Sequence, residues 1–162
     1  MRQPVSYIQQ TRDLYDSLGY QAYNWFQADS GPDFVKPSKP LAESKLGLLS
    51  TAGTYVAGQI AYHYKDDTSI RVIPSSTPVD DIRFSHVTEN YLVDARQDPR
   101  CVFPIQALQT LTDQGVIGSL ADNYFSCMGG IYSQRRVKTE LIPALQSKLQ
   151  SEEIDLLLLV PL

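Results

Sequence analysis

The stretch Ser85-His86-Val87-Thr88-Glu89-Asn90-Tyr91-Leu92-Val93-Asp94-Ala95-Arg96-Gln97-Asp98-Pro99-Arg100-Cys101 holds the densest set of residues able to do chemistry. His86 is one of only 2 histidines and titrates near neutrality, as a general acid or base must. Glu89, Asp94 and Asp98 can orient that imidazole or receive an ammonium group, and Arg96 and Arg100 can clamp a carboxylate with paired N–H donors. The segment follows a candidate strand and precedes a helical pattern, where sheet enzymes carry their side-chain machinery. The competing reading is a solvated loop whose charges are spent on caps and local ion pairs.

Cys101 stands about one turn before Pro104, near the positive end of the following helix and beside Arg100. Both neighbours favour thiolate, while Asp94 and Asp98 oppose it; with Val102 and Phe103 next to it, Cys101 also reads as a small buried hydrophobe. Cys127, in Ser126-Cys127-Met128-Gly129-Gly130, is a loop thiol or a packing residue. No two of His63, His86, Cys101 and Cys127 are close in sequence, so no metal site is expected, and His63 reads as a half-buried, aromatic-like residue. Thr51-Ala52-Gly53 forms a small-residue turn where backbone can approach a ligand, which makes Thr51 and Gly53 substrate-binding candidates. There is no dinucleotide or Walker-type glycine motif and no serine elbow.

These residues need a frame. Lys45–Ser50 reads as the first core strand, Ser69–Pro74 as a second and Ile82–Ser85 as a third. Val116–Gly118 fits a short edge strand. The closing run Ile154–Leu162 is apolar without alternation, which predicts an interior strand of a parallel sheet. Tyr7, Ile8, Thr11, Leu14, Tyr15 and Leu18 predict a helix over about residues 5–18, closed by Gly19. Pro104 opens a second helix carrying Ile105, Leu108 and Leu111, and a third runs from about Arg135, where Pro143 forces a kink or a late start. Between the first helix and the first strand, Tyr20–Pro40 is irregular and aromatic and needs a surface to lie on. Alternating helices and strands predict one layered α/β domain over 1–162, its sheet mainly parallel with flanking helices.

Composition narrows the function. The 162 residues carry net charge −4, and Arg135-Arg136 is the only basic doublet. A nucleic-acid partner, which needs a basic stripe, is therefore not expected. No apolar run approaches the roughly 20 residues of a membrane span, and Met1-Arg2-Gln3-Pro4 opens no secretory signal. A cytoplasmic protein with free thiols is expected.

Several segments together resemble the selenoprotein B family of glycine, sarcosine, betaine and D-proline reductases. They are Lys39–Lys45 running into Leu48–Gly53, then Arg71–Pro74, Asp98–Ile105, Gly115–Ala121, Gly129-Gly130 and Leu157–Pro161. The match departs at Arg100, where a smaller polar residue is usual, and at Gln106-Ala107-Leu108, which lacks a basic residue. The resemblance implies a cytoplasmic reductase subunit that cleaves a C–N bond of an amino acid or its N-methylated relative at the expense of a dithiol. It further implies a cysteine or selenocysteine segment just after Pro161, so a selenocysteine codon read as a stop at or near position 163 would end the chain there. A companion subunit with a pyruvoyl group and a thiol or selenol acceptor protein are the implied partners, and a small amino acid the implied substrate. No cofactor is expected within these residues. His86, Glu89 and Cys101 are the catalytic candidates; Thr51, Gly53, Asp94, Arg96 and Asp98 are candidates for substrate binding. The rival readings are a non-catalytic scaffold subunit and a flavodoxin-like domain that binds a small molecule at the Thr51-Ala52-Gly53 turn.

Overall fold

Lys45-Leu46-Gly47-Leu48-Leu49-Ser50 is buried along almost its whole length because strands pair with it on both edges and side chains cover both faces. The computed structural model describes residues 4–162. The chain divides into two compact units, Met1–Phe34 and Val35–Leu162.

The first unit carries helix α1 (Tyr7–Ser17), none of whose side chains is buried. The aromatic loop after it finds part of its surface within the unit: Tyr15 meets Tyr20 and Tyr23 at ring separations of 6.0 and 5.9 Å, and Tyr23 meets Trp25 at 4.6 Å.

The second unit runs β1 (Lys45–Ser50), β2 (Thr54–Val56), β3 (Arg71–Pro74) and β4 (Ile82–Phe84). Helices α2 (Val93–Gln97) and α3 (Ile105–Asp113) follow, then β5 (Ser119–Leu120) and β6 (Asn123–Ser126). The chain continues with α4 (Gln134–Arg136), a π-helical turn at Val137–Leu141, α5 (Ile142–Ser151) and β7 (Leu156–Val160). On one edge of β1, β5 pairs with its start and β6 with its end; β7 pairs with the other edge from Leu46 to Ser50. These pairings are parallel, and within this sheet, among the described residues, β3 alone pairs antiparallel, on the outer side of β6. The expected α/β class with a mostly parallel sheet is observed. Alternate residues of β1 serve two cores. Leu46 and Leu48 pack with Phe103, Ile105, Leu108 and Tyr124, whereas Leu49 packs with Phe125, Cys127 and Leu141. Leu48 is fully buried, and leaving water is worth about 1.5–3 kcal/mol for such a side chain.

Asp155 sets the register of the last strand. Its N–H donates to the Lys45 carbonyl at 2.9 Å, and its carboxylate accepts the Lys45 N–H at 2.9 Å and the Lys39 ammonium at 2.7 Å. The ammonium and the amide together hold the Asp155 carboxyl below its usual range. At the far end of α5, Glu152 takes the Asn123 side chain at 2.8 Å and pins the start of β6.

Several expectations need correction. β7 is not interior: among the described residues only β1 pairs with it, and Leu157 and Leu159 are 39% and 54% exposed. An unbroken leucine run marks the strand, but burial of both faces depends on neighbours that the run itself does not encode. The third expected strand, at 82–84, joins β2 in a separate antiparallel pair rather than entering the main sheet. Residues 116–118 form the turn that closes α3, with the Val116 N–H on the Leu111 carbonyl, and the strand begins only at Ser119. β2 and β6 lie where no strand is expected. Pro143 is accommodated as the late-start expectation has it, in the first turn of α5 just after the π-helical turn.

Candidate functional site at the carboxyl edge of the sheet

Strands β1, β6 and β7 point the same way and end at Ser50, Ser126 and Val160, so Thr51, Cys127 and Pro161-Leu162 line one edge. In open sheets ligands bind outside that edge. The Thr51 N–H donates to the Val160 carbonyl at 3.0 Å. Leu162 then donates its N–H to Thr51 Oγ1 at 2.9 Å, while the Thr51 hydroxyl reaches the Leu162 carbonyl at 3.3 Å.

His86 is brought to this edge by the β2–β4 pair. Past β4, the Ser85 N–H donates to the Gly53 carbonyl at 3.0 Å. Gly53 has φ +64°, and a Cβ there would run into the Ser85 carbonyl, so a side chain at 53 would push the His86 segment away. From the other side comes Gly129, itself exposed. A Cβ on it would strike the Leu162 carbonyl oxygen and come within 2.9 Å of the Thr51 carbonyl and 3.1 Å of His86 Nε2. Three chain segments distant in sequence thus converge where residue 129 has no side chain.

His86 is buried, with 5% of the residue exposed. Its Nδ1 accepts the Thr88 backbone N–H at 3.1 Å and lies 2.7 Å from the Thr88 hydroxyl. Nε2 is buried with no hydrogen-bond partner among the described residues. Burial holds the imidazole below its usual value, against the opposing pull of the Glu89 carboxylate and the Thr51 backbone. Near neutral pH His86 is therefore an uncharged imidazole, able to donate from one nitrogen and accept at the other.

The other candidates are placed less centrally. Glu89 touches the His86 backbone N–H at 3.5 Å rather than the ring, and it binds Arg96 at 2.5 Å, which holds its carboxyl below the usual range. Arg96 also reaches the Phe84 carbonyl at 3.4 Å. Arg100 forks onto Asp98 with N–H donors at 2.7 and 2.9 Å. The expected carboxylate clamp of Arg96 and Arg100 is thus already filled by the chain's own Glu89 and Asp98. Cys101 is exposed, and partial desolvation followed by the charges of Asp98 and Asp94 pushes its thiol up, so Arg100, engaged with Asp98, does not make it a thiolate. Asp94 lies exposed in the first turn of α2. Cys127 is buried, and its thiol is pushed up to about 11, consistent with packing. His63 is exposed rather than half-buried, its ring beside that of Tyr64 at 4.6 Å.

The turn after β1 is not an anion cradle. The Thr51 N–H is on Val160, Ala52 on Ser50 Oγ, Gly53 on the Cys127 carbonyl and Thr54 on Ser126 Oγ. Every amide that could have met a phosphate or carboxylate is used within the fold. No cluster of metal-ligating side chains occurs among the described residues.

Thr88 and Gly129 are the site residues that sequence reasoning missed. For Thr88 the available signal was only a hydroxyl residue two places after His86, close enough in sequence to reach its ring. Gly129 was marked only as part of the Gly129-Gly130 pair in the family resemblance, and nothing local gave it a role in the site, since its neighbours come from positions 51, 86 and 162.

The chain is similar to D-proline reductase subunit gamma of Acetoanaerobium sticklandii. The two are 29% identical over 147 residues, which cover 91% of this chain and 60% of the subunit gamma sequence. The chain thus spans well under two thirds of subunit gamma, and the relationship to the amino-acid reductases is a distant one. No protein-family profile matches the chain. No solved structure matches it either. No helix among the described residues is long and apolar enough to cross a membrane.

Proposed function

We propose that the chain is part of a cytoplasmic, dithiol-dependent reductase subunit that cleaves the C–N bond of a small amino acid or N-methylated amino acid, of the glycine, sarcosine, betaine or D-proline class. D-proline heads that list because the curated relative is a D-proline reductase subunit. The reading is carried by the convergence of His86, Thr51 and Leu162 at the carboxyl edge of the parallel sheet. A cysteine or selenocysteine following Leu162 in the full-length protein, as the resemblance to selenoprotein B implies, would stand beside His86 Nε2.

Reductive C–N cleavage consumes two electrons and two protons; the dithiol supplies the electrons and ends as a disulfide. The two thiol protons released as the dithiol is oxidised cover the proton side of that balance, and His86, a neutral imidazole, suits the site as a hydrogen-bonding partner of the reacting atoms. Thr51 holds the end of β7 against this imidazole. A pyruvoyl group in a companion subunit would supply the carbonyl that activates the amine, and a thiol or selenol protein would return the oxidised centre to its reduced state.

The test is to produce the full-length protein with its companion subunit and incubate the complex with D-proline and a dithiol. Formation of 5-aminopentanoate, the product of opening the ring at its Cα–N bond, is expected. A complex that assembles but reduces none of D-proline, glycine, sarcosine or betaine would leave the scaffold reading in possession. The flavodoxin-like rival is weakened by the occupied amides of residues 51–54, and added flavin mononucleotide is expected to leave the melting temperature unchanged.

A further inference from the structure

We infer that Thr88 is a positioning residue that fixes His86 as the Nε2–H tautomer, so that the buried imidazole presents a donor, and not a lone pair, to the point shared with Thr51 and Leu162. The argument starts from one unambiguous bond. A backbone N–H can only donate, and the Thr88 N–H meets His86 Nδ1 at 3.1 Å. Nδ1 must then offer its lone pair, and the single proton of the neutral ring sits on Nε2. The Thr88 hydroxyl at 2.7 Å from the same nitrogen acts in the same sense, since it too is stabilised by donating there. The opposite tautomer would set Nδ1–H against the Thr88 N–H.

The donor so created makes no well-formed hydrogen bond within the fold, although the Thr51 carbonyl is near enough to act on the ring. His86 is 95% buried by its 5% exposure, and Nε2 has no hydrogen-bond partner among the described residues. Its surroundings are the Gly129 backbone and the carbonyl oxygens of Thr51 and Leu162, a polar and electron-rich setting. The chemical class that completes such a donor is an atom with an available lone pair or negative charge, an anionic sulfur or selenium among them. That last use rests on the reductase reading above; the tautomer does not.

The experiment reads the two apart. A long-range proton–nitrogen correlation spectrum of the nitrogen-15-labelled chain near neutral pH assigns the proton to Nε2 or Nδ1 of His86 directly, with His86→Gln identifying the signals. His86 is expected as Nε2–H. Thr88→Val, which keeps the backbone N–H but loses the hydroxyl, is expected to raise the Nδ1–H fraction, and Thr88→Ser is expected to restore the parent spectrum. A parent ring protonated on Nδ1 overturns the inference, whether or not the valine variant folds. An unchanged tautomer in a folded Thr88→Val overturns the role given to the Thr88 hydroxyl. In the full-length enzyme with its companion subunit, kcat for D-proline should fall in Thr88→Val by the same factor as the Nε2–H fraction, with KM unchanged and recovery in Thr88→Ser. Absence of turnover in the parent enzyme counts against the reductase reading alone, because the spectrum is recorded without substrate.

Discussion

The Leu162 backbone N–H donates to Thr51 Oγ1 at 2.9 Å, so the residue that leaves β1 holds the segment that leaves β7, 111 positions away in sequence. Thr51→Val keeps the shape and deletes both hydroxyl contacts at this junction. The expected cost is about 1 kcal/mol, typical of one net intramolecular hydrogen bond. Urea denaturation of the two proteins would show it as a lower midpoint with an unchanged slope; identical midpoints would mean that this junction contributes nothing to stability.

Gly129→Ala tests how tightly the site is closed. The new methyl group would collide with the Leu162 carbonyl and crowd the Thr51 carbonyl at 2.9 Å and His86 Nε2 at 3.1 Å. Two of those contacts are backbone atoms and cannot rotate away. Destabilisation of about 1–3 kcal/mol is expected, the usual range for overpacking. The imidazole signals of His86 should shift in the same variant, whereas an inert effect on both would show that the three segments are further apart than described.

His86 predicts a pH dependence with a definite sign. Its folded-state pKa lies below the unfolded value of about 6.5, chiefly through burial and against the raising influence of the Glu89 carboxylate. Between the two values the unfolded chain binds the extra proton. The contribution to stability is therefore complete above about pH 6.5 and is lost as the pH falls toward the folded value. In His86→Gln the fall in stability between pH 7 and 5.5 should be shallower than in the parent. The comparison cancels His63, which both proteins keep, and a parallel pair of profiles would refute the assignment. Arg96 holds Glu89 ionised throughout this range.

The two cysteines should separate cleanly by reactivity. Cys101 is exposed, while Cys127 lies in the core against Leu49, Phe125 and Leu141 with its thiol pushed up to about 11. A disulfide reagent at pH 8 is expected to modify one thiol per native chain and two in denaturant. Cys101→Ser should abolish the native-state reaction. Two fast thiols in the native protein would mean that the second core opens readily.

Much of the frame was legible in the sequence because the signals were local. Leu46, Leu48 and Leu49 announce a buried strand by composition alone, and Ile105 and Leu108 announce a helix by spacing. The proline at 143 disclosed an interrupted helix, although not that a π-helical turn would absorb it. β6 went unnoticed because Asn123-Tyr124-Phe125-Ser126 is short and half polar; it is a strand because β1 and β3 receive it on either side. Within the site, the chemistry of His86 could be named from residue type. The partners chosen by Arg96 and Arg100 could not, since each guanidinium had several carboxylates within reach along the chain.

What the amino-acid order determined by itself was the alternation of helix and strand, the parallel sheet it implies and the presence of one candidate imidazole near a strand exit. Those follow from periodicities of a few residues, which the sequence states directly. Only the tertiary structure decided that β7 lies at a margin, that the turn amides of residues 51–54 are spent, and that His86 meets Thr51, Gly129 and Leu162. Those outcomes depend on which distant segments share the same few ångströms, and backbone hydrogen bonding and steric exclusion settle that question only when the whole sheet is assembled.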